Sequence, residues 1–385
     1  MDTTDFRLIN WDLAATTAAK LVGAGPSLAP SEITSVVADL RAKAEASVEH
    51  VHRITGLAAA ADLRDSQVLI VDRPGWAKAN TQSFEALLGP AMENLAKTRG
   101  EKISEATQVL SSTATGMEMG AILAFMSSKV LGQYDPFAGL LRADLPAGGR
   151  LMLVAPNIVA IERELKVDTD DFRLWVTLHE QTHRVQFAAA PWLREHLQSK
   201  IAELLASLLA EPEALGERLR AAASEVIRGK KDLEAADTDL GETGTTPETG
   251  LLASLRTGEQ KKILSHITAV MSLLEGHANV VMDAVDSSIV PSVRTIRQRF
   301  GARGKDRGMV EKWLRKLLGL DAKMRQYADG QRFVGRAVKL MGMEGFNRVW
   351  EGPENLPSEH ELHHPDQWVA RMGGNTAGDT TPANN

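Results

Sequence analysis

Residues 178–187 read LHEQTHRVQF and contain His179-Glu180-x-x-His183. Two histidines four positions apart share one face of a helix, so both imidazoles can reach a single ion. Imidazole nitrogen is a good zinc donor, and a glutamate beside the pair can take a proton from a water on the metal. The pattern therefore points to zinc on His179 and His183, with Glu180 as general base. The same letters recur at His360-Glu361-Leu362-His363-His364. There Pro357 and Pro365 bracket the segment, and His364 directly precedes a proline, which disfavours helical backbone at that residue. The second copy is expected to be a His-rich surface turn whose imidazoles do not converge.

Catalytic zinc commonly has three protein ligands and one open position. A metzincin-type third histidine would stand six residues after His183, and Ala189 occupies that place. Gluzincins take a glutamate from a later helix instead. AVMSLLEGHANVVMDAV, residues 269–285, offers Glu275 among Met271, Leu274, Ala278, Val281 and Met282. A carboxylate in so apolar a helix is costly to bury unpaired, and a metal would remove that cost. Asn279 lies one turn on, where it could accept a hydrogen bond from the second ring nitrogen of a zinc-bound histidine. His277 falls about 200° round the helix from Glu275, so the two do not serve one ion.

These residues need rigid carriers. DTDDFRLWVTLHEQTHRVQFAAAPW opens on capping Asp and Thr, is anchored by Leu174, Trp175, Leu178 and Phe187, and stops at Pro191. Most of the remaining chain also has helical spacing and composition, as in residues 30–55, 104–131, 194–210, 212–228, 259–285, 309–328 and 331–341. Gly116 and Gly120 in the second of these suggest a close neighbour. Strand candidates are few, QVLIVDRPG (67–75) and GRLMLVAPNIV (149–159). The second would suit a hydrolase whose peptide substrate pairs with an edge strand. The chain is thus expected to be mainly α with a small β component. Residues 1–370 read as a single catalytic unit interrupted by a flexible loop at about 236–250, with a disordered tail at 371–385.

Composition narrows the function. The chain has 385 residues and no cysteine, so thiolate ligands, thiol nucleophiles and disulfides are excluded. A net charge of −6 argues against an obligate nucleic-acid partner, and the basic run RTIRQRFGARGKDR (294–307) is expected to be a solvated helix and loop. No apolar window is long enough to span a membrane. The first residues, MDTTDFRLIN, lack a basic-then-apolar leader, so a cytoplasmic location is expected.

LHEQTHRVQF, MSLLEGHANVVMD, APNI (155–158) and the C-terminal RQYADGQRFVGRAV, FNRVWEGPENLPS and HPDQWVAR together resemble a bacterial family of zincin-like metallohydrolases. Its members often carry a label linking them to deazaflavin coenzyme biosynthesis. The resemblance covers most of residues 5–371. It implies a mostly helical zincin-like metallopeptidase fold, zinc on His179, His183 and Glu275, and Glu180 as catalytic acid/base. The family pattern favours Asp where this chain has Asn279. No glycine-rich phosphate loop follows a strand, so the residues add nothing to the deazaflavin label.

Amide hydrolysis also needs a donor for the developing oxyanion, and Tyr327, His277 and Arg184 are the candidates. The expected function is a zinc-dependent hydrolase, most readily a metallopeptidase acting on a peptide. The alternatives are a zinc amidase or esterase acting on a small amide or ester, and a non-catalytic protein stabilised by its metal.

Overall fold

The structure, a computed structural model, describes residues 9–61, 63, 66–99, 105–141, 148–209, 258–303 and 326–373. Helices dominate: α1 (Trp11–Leu21), α2 (Pro30–Thr55), α3 (Arg73–Arg99), α4 (Glu105–Ser127), α5 (Ala155–Leu165), α6 (Thr169–Ala189) and α7 (Trp192–Leu209). After them come α8 (Gly258–Ala284), α9 (Val293–Arg303), α10 (Gln326–Asn347), α11 (Glu359–His363) and α12 (Pro365–Arg371). Three short strands, β1 (Gln67–Val71), β2 (Gly132–Asp135) and β3 (Arg150–Val154), stand among the described residues. The expected helix at 212–228, most of that at 309–328 and the loop at 236–250 lie outside the described residues. So does the expected tail apart from 371–373, where Arg371 ends α12 and Met372 is buried in the core rather than disordered.

The sheet has the order β1-β3-β2, with β1 parallel and β2 antiparallel to β3. The strand candidate at 149–159 is therefore corrected twice. It ends at Val154, where Ala155-Pro156 starts α5, and it is the central strand rather than an edge. Pro156 suits the first turn of that helix, because its missing N–H would have had no partner there. The edge beside β3 belongs to β2, a strand absent from the sequence reading.

β3 is buried along its whole length because the sheet has a core on each face. Leu151 and Leu153 join the larger cluster, which runs from Val36 of α2 through α6, α8 and α10 to Met372. Met152 and Val154 point the other way, to Trp76 of α3, Ala18 of α1 and Leu123 of α4. This is the two-residue alternation of a strand, with both sets apolar because both faces are covered. At one end of the sheet, Arg150 donates to Asp135 at 2.9 Å and to Ser83 Oγ at 3.0 Å, tying β3 and β2 to α3. Gly116 and Gly120 do have a close neighbour. Side chains there would press on the backbone oxygens of Asn10 and Ala14, each 2.6 Å from an added Cβ, where α1 crosses α4.

The basic run is less free than expected. Arg297 donates to the carbonyls of Met282 and Val285, closing the end of α8, and Arg299 reaches those of Leu165 and Lys166 after α5. Guanidinium groups at helix C-termini satisfy carbonyls that lack intrahelical donors. Residues 304–307 of the run lie outside the described residues.

Candidate metal centre

α6 begins with Asp168, whose side chain accepts from the Asp171 backbone N–H at 3.0 Å, and it ends at Ala190 before Pro191. It is fastened at several points along its length. Arg173 makes a two-pronged ion pair with Glu162 of α5, at 2.9 and 2.7 Å, and reaches Asp39 of α2 at 3.1 Å. Thr177 and Thr182 donate to carbonyls one turn back, at 2.7 and 2.8 Å, which lets their hydroxyls be buried. Val176, Leu178 and Val185 enter the core. A helix held this way presents His179 and His183 in fixed positions.

The rings of His179 and His183 stand edge to face, with Nε2 atoms 3.3 Å apart. Glu275 comes from α8, its carboxylate oxygens 3.8 Å from His179 Nε2 and 3.5 Å from His183 Nε2. One donor atom from each residue lies within 4.8 Å of the others. With metal–nitrogen bonds of about 2.0–2.1 Å, two corners of a tetrahedron are ~3.4 Å apart. Two imidazole nitrogens and a carboxylate at this spacing fit a zinc ion. Among the described residues, no other group of three His, Asp or Glu side chains brings its donors so close. The Glu275 side chain is 31% exposed, not deeply buried as its apolar neighbours in sequence suggested. Leu274, Ala278, Val281 and Met282 are buried, Met271 is exposed, and Glu275 lies where α8 meets α6.

α8 can hold Glu275 there because α10 crosses it closely. A Cβ on Gly276 would overlap the backbone of Gly330, and one on Gly330 would overlap the carbonyl of Ser272. Glu180 is 9% exposed. Burial pushes its carboxyl up to about 7, with His183 opposing the shift and Glu275 adding to it. Its stem lies against β2. A Cβ at Gly132 would stand 2.5 Å from Glu180 Cγ and 2.9 Å from Cδ. Gly132 is thus part of the site, and nothing in the sequence VLGQYD marks it as such.

Gln186 is another residue the sequence reading missed, although it sits three after His183 on the same helical face. Its Oε1 is 3.0 Å from His183 Nδ1. It supplies to His183 the partner for which Asn279 was considered. His277 is fully buried behind His183, between Phe346 and Trp350. Burial first, and His183 second, lower its pKa to about 3. It is fully buried and its Nδ1 is engaged by Gln186 at 2.9 Å, so it is not placed as an oxyanion donor. Arg184 is also turned away, donating to the carbonyls of Leu63 and Ser66 at 3.0 and 3.4 Å. The side chain of Tyr327 lies outside the described residues.

The second motif is corrected in part. Ser358 and Glu361 form a reciprocal capping box, enough to start the short helix Glu359–His363, and the rings of His360 and His364 do meet, at 4.2 Å. They stack nearly parallel, 24° apart, and His364 Nδ1 lies 2.9 Å from the His360 carbonyl oxygen. No third donor joins them among the described residues.

No helix among the described residues is long and apolar enough to cross a membrane. No curated protein matches the chain. A solved structure from Chloroflexus aurantiacus, described as a "putative hydrolase with a novel fold", is 29% identical, with a TM-score of 0.63 over 95% of this chain and 99% of that one. Neither it nor the matching family concerns a deazaflavin coenzyme by description. The sequence model of the zincin-like metallopeptidase family matches residues 9–369, and the chain belongs to that family.

Proposed function

We propose that this protein is a gluzincin-type zinc peptidase in which His179, His183 and Glu275 hold the metal and Glu180 moves the proton. The observation that carries this reading is the meeting of three donors from two helices at tetrahedral spacing, with a buried carboxyl adjacent to them. Zinc bound there supplies a Lewis acid and brings the pKa of a water to about 7. Glu180, buried beside the three donors, is placed to accept a proton and then return it to the leaving amine. Its confinement between α6 and Gly132 holds the carboxylate in one place, so little reorganisation accompanies the transfer.

A peptide is favoured over a small amide or ester by the position of β2. Its outer side is unpaired among the described strands, and Gly132 at its start touches the stem of Glu180. An extended substrate adding to that edge would pass the general base with its backbone held by ladder hydrogen bonds. A metal-stabilised protein without turnover has no use for Glu180, since burying a carboxyl beside another carboxylate is costly. The absence of cysteine is in keeping with a reducing cytoplasm.

Digestion of a peptide library by the zinc-loaded protein, with and without chelator, tests the reading by mass spectrometry. Chelator-sensitive cleavage is expected. Stoichiometric zinc with no peptide cleaved would overturn the peptidase assignment and leave the small-substrate hydrolase in its place.

A further inference from the structure

We propose that Gln186 is a positioning residue that sets the tautomer of His183 and ties this ligand to the helix bearing Glu275. The inference rests on the reading of His183 as a zinc ligand, and its geometry is independent of the metal. Gln186 lies wholly buried and makes three polar contacts: its Nε2 to the Leu274 carbonyl oxygen at 2.8 Å and to His277 Nδ1 at 2.9 Å, and its Oε1 to His183 Nδ1 at 3.0 Å.

A backbone carbonyl can only accept, so the side of the amide facing Leu274 must be the nitrogen. That choice decides the rest. The amide oxygen then faces His183, and an oxygen can only accept, so His183 Nδ1 must carry a proton. A neutral imidazole protonated on Nδ1 has its lone pair on Nε2, the atom that faces His179 and Glu275. The second amide hydrogen is given to His277 Nδ1, which must therefore be bare, with the His277 proton on Nε2. His277 Nε2 is buried without a hydrogen-bond partner, held against the rings of Phe346 and Trp350 at 5.5 and 5.2 Å. A buried N–H without a partner is unfavourable, and the arrangement gives Gln186 an acceptor for its last hydrogen. Leu274 directly precedes Glu275. One side chain thus orients a ligand of α6 and bonds to the backbone at the root of the ligand from α8.

Nitrogen-15 NMR of histidine-labelled protein, prepared free of metal, tests this directly. In the wild type, His183 should show a protonated Nδ1 and a bare Nε2, and in Gln186→Met that preference should be lost. Zinc affinity measured against a competing chelator should fall about 10–100-fold in Gln186→Met, the usual effect of removing a partner of a metal-bound histidine. His277→Phe, which removes only the acceptor of the second amide hydrogen, should weaken zinc less than Gln186→Met. A wild-type His183 protonated on Nε2 would overturn the proposal whatever the variants do, as would unchanged tautomer and affinity in Gln186→Met. Glu275→Ala run alongside separates the two levels. Undiminished zinc binding in that variant sinks the metal-site reading itself, whereas the His183 tautomer still decides the role of Gln186.

Discussion

The two His-Glu-x-x-His segments have the same letters and opposite surroundings. On α6 the pattern sits in a helix of 21 residues whose ends are capped and whose faces are packed against the core. On α11 it occupies a helix of five residues, started by Ser358 and stopped by Pro365. In the first, the two Nε2 atoms and the Glu275 carboxylate converge. In the second, the rings lie flat on each other and one turns back to its own helix backbone. The glutamates differ most. Glu180 is buried and its carboxyl is pushed up. Glu361 also loses some hydration, but bonds from Arg371 and Ser358 outweigh that and hold its carboxyl below the ordinary range. The spacing brings two imidazoles together in both places. A metal site needs in addition a third donor from another element and a general base that nothing else has claimed.

Matched substitutions separate the two copies. Glu180→Gln should lower kcat by about 10²–10⁴-fold, the usual weight of a general base, with zinc retained. Glu361→Gln should leave kcat unchanged. Equal activity in Glu180→Gln and wild type would break the comparison at its centre. Metal content gives the next largest contrast. Glu275→Ala or His179→Ala should weaken zinc by on the order of 10²-fold or more, since each removes one of three protein donors. The double change His360→Ala with His364→Ala should leave tight zinc in place after dialysis. Retention of zinc in the first pair and its loss in the second would reverse the assignment.

Much of the α6 half of this contrast was legible in the sequence, because helix periodicity maps spacing directly onto a face. His179, His183 and Glu275 could be grouped from spacing, apolar anchorage and the exclusion of Ala189. The α2 boundaries at Pro30 and Thr55 follow from a first-turn proline and a left-handed Gly56, both local signals. What failed was non-local. Whether 149–159 is an edge or a centre depends on which strands pair with it, and β2 is only four residues long. The role of Gly132 comes from Glu180 leaning on it across the fold. Arg184 looked free to bind a substrate because its carbonyl partners at Leu63 and Ser66 lie more than a hundred residues away. The second motif was misread in detail because the Ser358–Glu361 capping box was overlooked, and a capping box can begin a helix between prolines.

Gly132 offers a finer test of how closely the first site is built. Gly132→Ala places a methyl 2.5 Å from Glu180 Cγ and 3.1 Å from the Met152 carbonyl oxygen, so the carboxylate is the group that must move. Displacement of a catalytic group by an ångström costs up to about 10²-fold. We expect kcat to drop roughly tenfold or more while zinc affinity, set by His179, His183 and Glu275, stays within about twofold. A variant with full activity would show that Glu180 does not depend on β2. Loss of zinc together with activity would mean that the strand supports the ligands instead.

The smallest effect belongs to the second copy, and its sign is informative. Glu361 accepts from the Ser358 N–H at 2.9 Å and from Arg371 Nε at 2.7 Å, so its charge serves the C-terminal segment and not a reaction. Glu361→Gln keeps the volume and removes the charge, at an expected cost of about 0.5–1 kcal/mol in urea unfolding at pH 7. Because the folded carboxyl titrates below its unfolded value near 4.3, its contribution is complete above that value. It is lost as pH falls through the folded pKa. The stability gap between wild type and Glu361→Gln should therefore be constant from pH 8 to about 5.5 and close progressively below about 4. Unfolding curves at pH 7 and near pH 3.5 decide it. A gap that persists in acid would trace the destabilisation to geometry rather than charge, and a gap that grows in acid would mean that Glu361 is held protonated, as a buried general base would be.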